Sequence, residues 1–245
     1  MEAETSAPVA APTAGTDSSA YVSLLLADGR LPTGAHTQSA GLEPALSHGL
    51  RLEQVPDYLR VRLSTVTEVE AAAAVVARGW WRTQALVAAM RTVDRAWRIR
   101  TASAALRDAS DLLGRSYLRL AATVWPALAP LAARAPSGAG STAPRWCRAV
   151  VIGATAAEVG LDARQTARLI GFEDVQTVIA AAVKLQPFDP AVAVAWAVAA
   201  GQQVEAMVAR VADLRTVEEI PASTAPQIEH WAELHTRTER RLFRA

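Results

Sequence analysis

The spacing of the apolar residues constrains the fold of this chain more than any other feature. They recur every three or four positions through most of the sequence, as in Val55, Leu59, Leu63 and Val66. This spacing matches the 3.6-residue turn of an α-helix and indicates amphipathic helices. The alternation that is typical of strands is nowhere sustained over a useful length. The sequence therefore predicts an all-α fold, a single-domain helical bundle of roughly eight to ten helices.

Local signals place some of the helix ends. Asp162 and Gln165 have the spacing of a capping box, in which each side chain accepts a backbone N–H group of the other residue. The helix that follows is apolar on most faces from Val175 onward, which predicts a central position in the bundle. A last helix is expected to open at Thr224 and to carry Leu242 on its apolar side.

Two segments lack the helical pattern. Residues 1–19 are mostly small or polar and contain proline, which predicts a disordered N-terminal tail. Residues 134–144 are rich in glycine, serine and proline, which predicts a flexible loop between two helices. The remaining chain, residues 20–245, is expected to form one all-helical domain around that loop.

Glycine and proline positions predict turns and close contacts. Gly114 and Gly153 lie on apolar stripes, where glycine is best tolerated if another helix approaches closely. Pro32 and Gly34 are expected to form a rigid turn, and Gly41 to let the next helix lie against a neighbour.

Composition excludes several classes of function. The formal net charge is only +1, so the chain lacks the excess of basic residues that is typical of nucleic-acid binders. A single cysteine, Cys147, allows neither an intrachain disulfide nor a thiolate metal cluster. No uninterrupted apolar run reaches the ~18 residues of a membrane span, and no secretory signal is present. We therefore expect a cytoplasmic protein.

The residues that could support catalysis or metal binding are few. The four histidines, His36, His48, His230 and His235, lie in no metal-binding motif, and the last two do not share a helix face. Gly29 and Gly34 have the spacing of a phosphate-binding loop, but Ala35 and His36 stand where that loop needs Lys and Ser or Thr. The sequence thus predicts no catalytic residue and no metal site.

The segment from Leu24 to Glu43 resembles the signature of the UreF family of urease accessory proteins. The matching positions are Leu31, Pro32, Gly34, Ala35, Ser39, Gly41, Leu42 and Glu43. Three more blocks, at residues 106–121, 181–187 and 235–244, resemble the family in the same order, so that the likeness covers residues 20–245. His36, Gln38 and Thr236 depart from the usual pattern and resemble an actinobacterial-type subgroup.

The resemblance implies an all-helical, non-enzymatic urease maturation factor. Such a protein bridges UreD and the GTPase UreG for nickel insertion into apo-urease, commonly as a homodimer. It binds no cofactor alone, because nickel is handled by the complex. The alternative is a helical ligand-binding or transcription-regulatory protein, for which residues 162–171 are the nearest candidate for a recognition helix.

The resemblance also implies residues for contacts with partner proteins. They are His36, Gln38, Ser39, Glu43, Lys184, His235, Arg240, Arg241, Leu242, Phe243 and Arg244. Leu242 and Phe243 lie next to the chain end among arginines, and we expect an exposed docking pair, with packing inside the domain as the alternative. For Lys184 the alternative is a lysine that binds the last carbonyl groups of its helix.

Overall fold

The apolar stripes form helices in the computed structural model, which describes residues 16–133, 145–238 and 242–243. No strand occurs in these ranges, so the predicted all-α fold is confirmed. Within these ranges, ten α-helices are six residues or longer, and α7 has four. They are α1 (Thr16–Leu26), α2 (Leu42–Ser47), α3 (Val55–Leu63), α4 (Val66–Trp80), α5 (Leu86–Arg100), α6 (Ala104–Val124), α7 (Ala129–Ala132), α8 (Arg148–Glu158), α9 (Ala163–Leu185), α10 (Pro190–Val211) and α11 (Pro226–Thr236). Short 3-10 helices occupy Ala35–Thr37, Leu52–Gln54 and Pro126–Leu128.

Helices α4, α8 and α9 form the centre of the bundle. Helix α4 packs against both α8 and α9, while α9 also packs against α10 and α8 against α6. Four consecutive alanines of α4, residues 71–74, are fully buried. Because alanine side chains are short, neighbouring helices can approach α4 closely. The predicted central position of α9 agrees with these contacts.

Two glycines lie where neighbouring backbone leaves no room for a side chain. A Cβ atom on Gly153 of α8 would collide with the carbonyl oxygen of Ala74 and lie 3.0 Å from the backbone nitrogen of Arg78. A Cβ atom on Gly114 of α6 would collide with the carbonyl oxygen of Trp146 and lie 3.2 Å from the backbone nitrogen of Arg148. These two glycines set the distances of α8 from α4 and α6.

The start of α9 is the predicted capping box. The Asp162 carboxylate accepts the backbone N–H of Gln165 at 2.7 Å, and the Gln165 side-chain oxygen accepts the backbone N–H of Asp162 at 2.8 Å. Helix α1 begins at Thr16, so it overlaps the predicted tail of residues 1–19 at residues 16–19. Residues 1–15 and the predicted loop 134–144 lie outside the described ranges.

The last helix is shorter than the sequence predicts. Helix α11 ends at Thr236, so the prediction that Leu242 lies on its apolar side is wrong. The helix begins at Pro226 and not at Thr224. Further along the chain, the backbone N–H groups of Leu242 and Phe243 donate to the carboxylate of Glu43 and not to a helical carbonyl group.

Helix α10 combines a packed face with an apolar exposed face. Its length and composition would suffice to cross a membrane, but it packs against α9, α3 and α4. Ala193, Val204 and Met207 are buried in these contacts, whereas Val194 and Val198 are exposed. The packed side indicates a bundle helix with an uncovered apolar surface.

Candidate functional site

The connection between α1 and α2 reverses direction at two glycines. Gly34 and Gly41 have φ angles of +82° and +77°, which strain any residue with a side chain. At Gly41 a Cβ atom would also lie 2.9 Å from the hydroxyl oxygen of Tyr58. The hydroxyl group of Tyr58 in turn donates a hydrogen bond to the carbonyl oxygen of Ala40 at 2.7 Å. These turns direct Gln38 into the protein, where its side chain is buried.

Glu43 joins the start of the domain to its C-terminal residues. Its carboxylate accepts the backbone N–H groups of Leu242 at 2.7 Å and Phe243 at 2.9 Å. The Nε2 atom of His235 lies 3.6 Å from a carboxylate oxygen of Glu43 and 3.2 Å from the carbonyl oxygen of Phe243. Hydrogen bonds to an ionised acceptor are stronger than those between neutral groups. The last described residues are therefore anchored in the domain.

An outer cavity of about 380 Å³ lies beside this anchor. Its lining includes His36, Gln38, Glu173, Gln176, Lys184 and Phe243. The Lys184 ammonium lies 5.4 Å from the centroid of the Phe243 ring, within the range of a cation–π contact. The residues of the outer cavity come from distant parts of the chain. They include members of three of the four blocks that resemble the UreF family, at residues 24–43, 181–187 and 235–244.

The structure divides the predicted partner-contact residues into two groups. His36, Lys184 and Leu242 are exposed, and their contact with a partner stays a prediction. Five others are buried: Gln38, Ser39, Glu43, His235 and Phe243. The expectation that these side chains lie on the surface is corrected, because they build the interior of this region, whereas a role in partner binding stays a prediction. Arg240, Arg241 and Arg244 lie outside the described residues.

A smaller central cavity of about 90 Å³ adjoins the outer one. Its lining includes Gln38, Arg62, Glu70, Ser110, Arg148 and Asp174. Ala35, Gln38 and Thr177 line both cavities, so the Gln38 side chain lies between them. The central cavity thus brings four ionisable side chains together.

Arg62 and Asp174 form a buried ion pair on this cavity. The Nε and Nη2 atoms of Arg62 donate to the two carboxylate oxygens of Asp174 at 3.0 and 2.5 Å. Thr67 donates a further hydrogen bond to Asp174 at 2.9 Å. Burial alone would raise the pKa of Asp174, but the charge and the hydrogen bonds of Arg62 hold it below its usual value. Asp174 is therefore ionised at neutral pH.

Arg148 forms the second buried ion pair. Its Nε and Nη2 atoms donate to the carboxylate of Glu70 at 2.9 and 2.8 Å, and its Nη1 atom lies 3.4 Å from Glu173. Burial raises the pKa of Glu173 to about 7, and the charge of Arg148 opposes this shift. The guanidinium group of Arg148 thus links α8 to α4 and α9.

Three buried side-chain atoms have no hydrogen-bond partner in the described structure: Gln38 Nε2, Arg62 Nη1 and Tyr117 OH. The described ranges also contain no group of three His, Cys, Asp or Glu side chains that could hold a metal ion. Burial raises the pKa of the Cys147 thiol well above its usual value, which makes it a poor nucleophile. The arrangement of the described residues is suited to binding and packing.

Sequence reasoning missed the charged residues of the central cavity. Arg62 lies one position before Leu63 of the predicted apolar stripe, and Arg148 follows Trp146 and Cys147 on another. Charged residues are seldom buried unless they are paired. The position of Arg62 and Arg148 on apolar helix faces could therefore have indicated buried ion pairs. The sequence could not supply the identity of each partner.

The chain is similar to known urease accessory proteins. The family model described as UreF matches residues 51–201. Urease accessory protein UreF of Mycobacterium bovis (strain BCG / Pasteur 1173P2) is 36% identical over 173 residues, which cover 69% of this chain and 74% of the relative. The UreF protein of Mycobacterium sp. (strain JLS) is 34% identical over 225 residues, which cover 90% of this chain and 96% of the relative. That of Mycobacterium marinum (strain ATCC BAA-535 / M) is 42% identical over 106 residues, 42% of this chain and 47% of the relative.

Proposed function

The chain belongs to the UreF family of urease accessory proteins, and from this membership we propose that it is a scaffold that bridges UreD and the GTPase UreG. The family supports a role in urease maturation and not in catalysis. In this proposal the complex delivers nickel to apo-urease as cargo. The chain binds no cofactor by itself, and the complex works in the cytoplasm.

The convergence of separate sequence blocks at one surface supports this proposal most. His36, Lys184 and Leu242 come from three blocks and are exposed near the anchored C-terminal residues. Leu242 is 74% exposed, and a large apolar side chain beside charged groups has the composition of an interface anchor with a polar rim. We propose that this surface binds UreD.

The exposed face of α10 supports a second contact. Val192, Val194 and Val198 are exposed, and α10 carries no charged residue before Glu205. Exposed apolar faces of this kind are found at protein interfaces. We propose that the chain associates as a homodimer, and this uncharged face is a candidate contact.

The alternative function, transcription regulation, finds less support. A recognition helix needs exposed polar side chains that can reach the bases. In the segment of residues 162–171, Thr166, Ala167, Leu169 and Ile170 are buried against the bundle. This burial removes much of the surface that such a helix would present.

Co-purification tests the bridging role directly. The tagged chain is co-expressed with UreD, UreG and apo-urease, and we expect it to retain both accessory proteins and to be required for urease activity. A double variant, Lys184→Ala with Leu242→Ser, should weaken retention of UreD while the helical circular dichroism spectrum stays unchanged. Asp213→Ser is the matched surface control, since the side chain of Asp213 is 89% exposed. Full urease activation without the chain would overturn the proposal.

A further inference from the structure

Two residues that line the central cavity carry buried hydrogen-bond donors without an acceptor. Arg62 Nη1 and Gln38 Nε2 each carry two N–H groups, and neither has a partner in the described part of the chain. The two residues are only 5% and 7% exposed. A buried donor without an acceptor destabilises a fold, and it does so more strongly when the group is charged. The two unpartnered donors therefore indicate a binding site for a molecule that accepts hydrogen bonds.

The carboxylates of Asp174 and Glu70 on this cavity are already paired with arginines. Both carboxylate oxygens of Asp174 accept from Arg62, and both of Glu70 accept from Arg148. A cation that entered the cavity would meet the guanidinium group of Arg62 and carboxylates that already bind arginine. The unpartnered groups of the residues that line the cavity, Arg62 Nη1 and Gln38 Nε2, are hydrogen-bond donors. Donors bind an anion and repel a metal ion.

The dimensions of the cavity narrow the class of ligand. A cavity needs about 10–15 Å³ of volume open to the centre of a water molecule in order to hold one buried water. The central cavity offers about 90 Å³. An ion of three or four heavy atoms therefore fits. Guanidinium and amide groups are planar, and their N–H groups match the oxygens of a planar oxyanion.

We propose that the central cavity binds a small planar oxyanion, of the size of formate, nitrate or bicarbonate, between Arg62 Nη1 and Gln38 Nε2. The ligand reaches the cavity from the outer cavity, because Gln38 lines both and His36 and Lys184 border the outer one at the surface. The site belongs to the chain itself and does not depend on UreD or UreG.

Titration of the purified full chain with sodium formate, nitrate and bicarbonate at constant ionic strength tests the proposal. Calorimetry should show one saturable site per chain. Gln38→Leu keeps the size of the side chain but removes the amide donors, and it should weaken binding by about tenfold or more. Gln176→Leu is the matched control, because Gln176 lines only the outer cavity, and its affinity should equal that of the wild type.

A second variant and a larger anion complete the test. Arg62→Lys keeps a positive charge beside Asp174 but lacks the planar group, and it should also weaken binding while circular dichroism reports the fold. Sulfate, which is tetrahedral, should not compete with formate. The absence of saturable binding would show that the cavity holds water only, and it would overturn the proposal. Unchanged binding by Gln38→Leu, or equal competition by sulfate, would place the anion on surface arginines and overturn it as well.

Discussion

Glu43 and Phe243 lie 200 positions apart in the chain, yet the backbone N–H of Phe243 donates a hydrogen bond of 2.9 Å to the carboxylate of Glu43. The Phe243 side chain is buried, and its ring belongs to the main hydrophobic core. The C-terminal residues thus contribute to the fold. This finding corrects the expectation that both residues of the Leu242–Phe243 pair are exposed, and for Phe243 it agrees with the alternative of packing inside the domain.

The first prediction separates the two residues of this pair. Phe243→Ala removes a buried ring and should lower the free energy of unfolding by about 3–5 kcal/mol. Leu242→Ala should change it by less than about 0.5 kcal/mol, because the side chain is 74% exposed. Urea denaturation of both variants measures the difference. Equal stability of the two variants would contradict the anchored arrangement.

The second prediction concerns close helix packing. Gly114→Ala and Gly153→Ala should each destabilise the protein by about 1–3 kcal/mol, because the new methyl group meets neighbouring backbone. Gly201→Ala is the matched control on α10, where no atom lies within 4 Å of the new Cβ, and it should stabilise by about 0.5–1 kcal/mol. The melting temperature, measured by thermal unfolding, should fall for Gly114→Ala and Gly153→Ala and rise for Gly201→Ala. A rise in melting temperature for Gly153→Ala would be inconsistent with the helix distance described above.

The third prediction concerns the buried ion pair. Asp174→Asn leaves the Arg62 guanidinium in the interior without its counter-charge and should cost about 3–5 kcal/mol of stability. Asp57→Asn breaks an exposed pair with Arg60 and should cost less than about 0.5 kcal/mol. Denaturant unfolding of the two variants gives the comparison. A small effect at Asp174 would mean that solvent reaches Arg62.

The fourth prediction concerns pH. The pKa of Glu173 rises from its ordinary value near 4.5 to about 7, so the folded state binds a proton more tightly than the unfolded state. The stability that this proton contributes is complete below about pH 4.5 and is lost as pH rises through 7. Glu173→Gln stays neutral and should therefore stabilise the protein by about 3 kcal/mol at pH 8 but have little effect at pH 4.5.

The charged groups that face Glu173 are Arg148, Glu70 and Asp174. Unfolding in urea at pH 4.5 and pH 8 measures the effect of the substitution. Glu218→Gln, at an exposed position, is the control and should show no such difference. A Glu173→Gln variant that is less stable than the wild type at pH 8 would show that attraction to Arg148 outweighs burial.

The sequence was sufficient for features that depend on neighbours along the chain. Apolar spacing predicted the helices, and the Asp162–Gln165 capping box placed the start of α9, because capping and helical periodicity involve residues within a few positions of each other. The likeness of four sequence blocks was enough to identify the family, and the matches to known relatives confirmed it.

The tertiary structure alone decided which of the singled-out residues are exposed and which are buried. The backbone of Phe243 binds Glu43, 200 positions earlier in the chain, and the Arg62–Asp174 pair joins residues 112 positions apart. Periodicity along one helix shows which side faces inward, but it does not show which neighbour lies there. The unpartnered donors of Gln38 and Arg62 lie where six helices and a turn pack together. Whether a buried polar group finds a hydrogen-bond partner depends on all the elements around it, and the sequence does not show which elements these are.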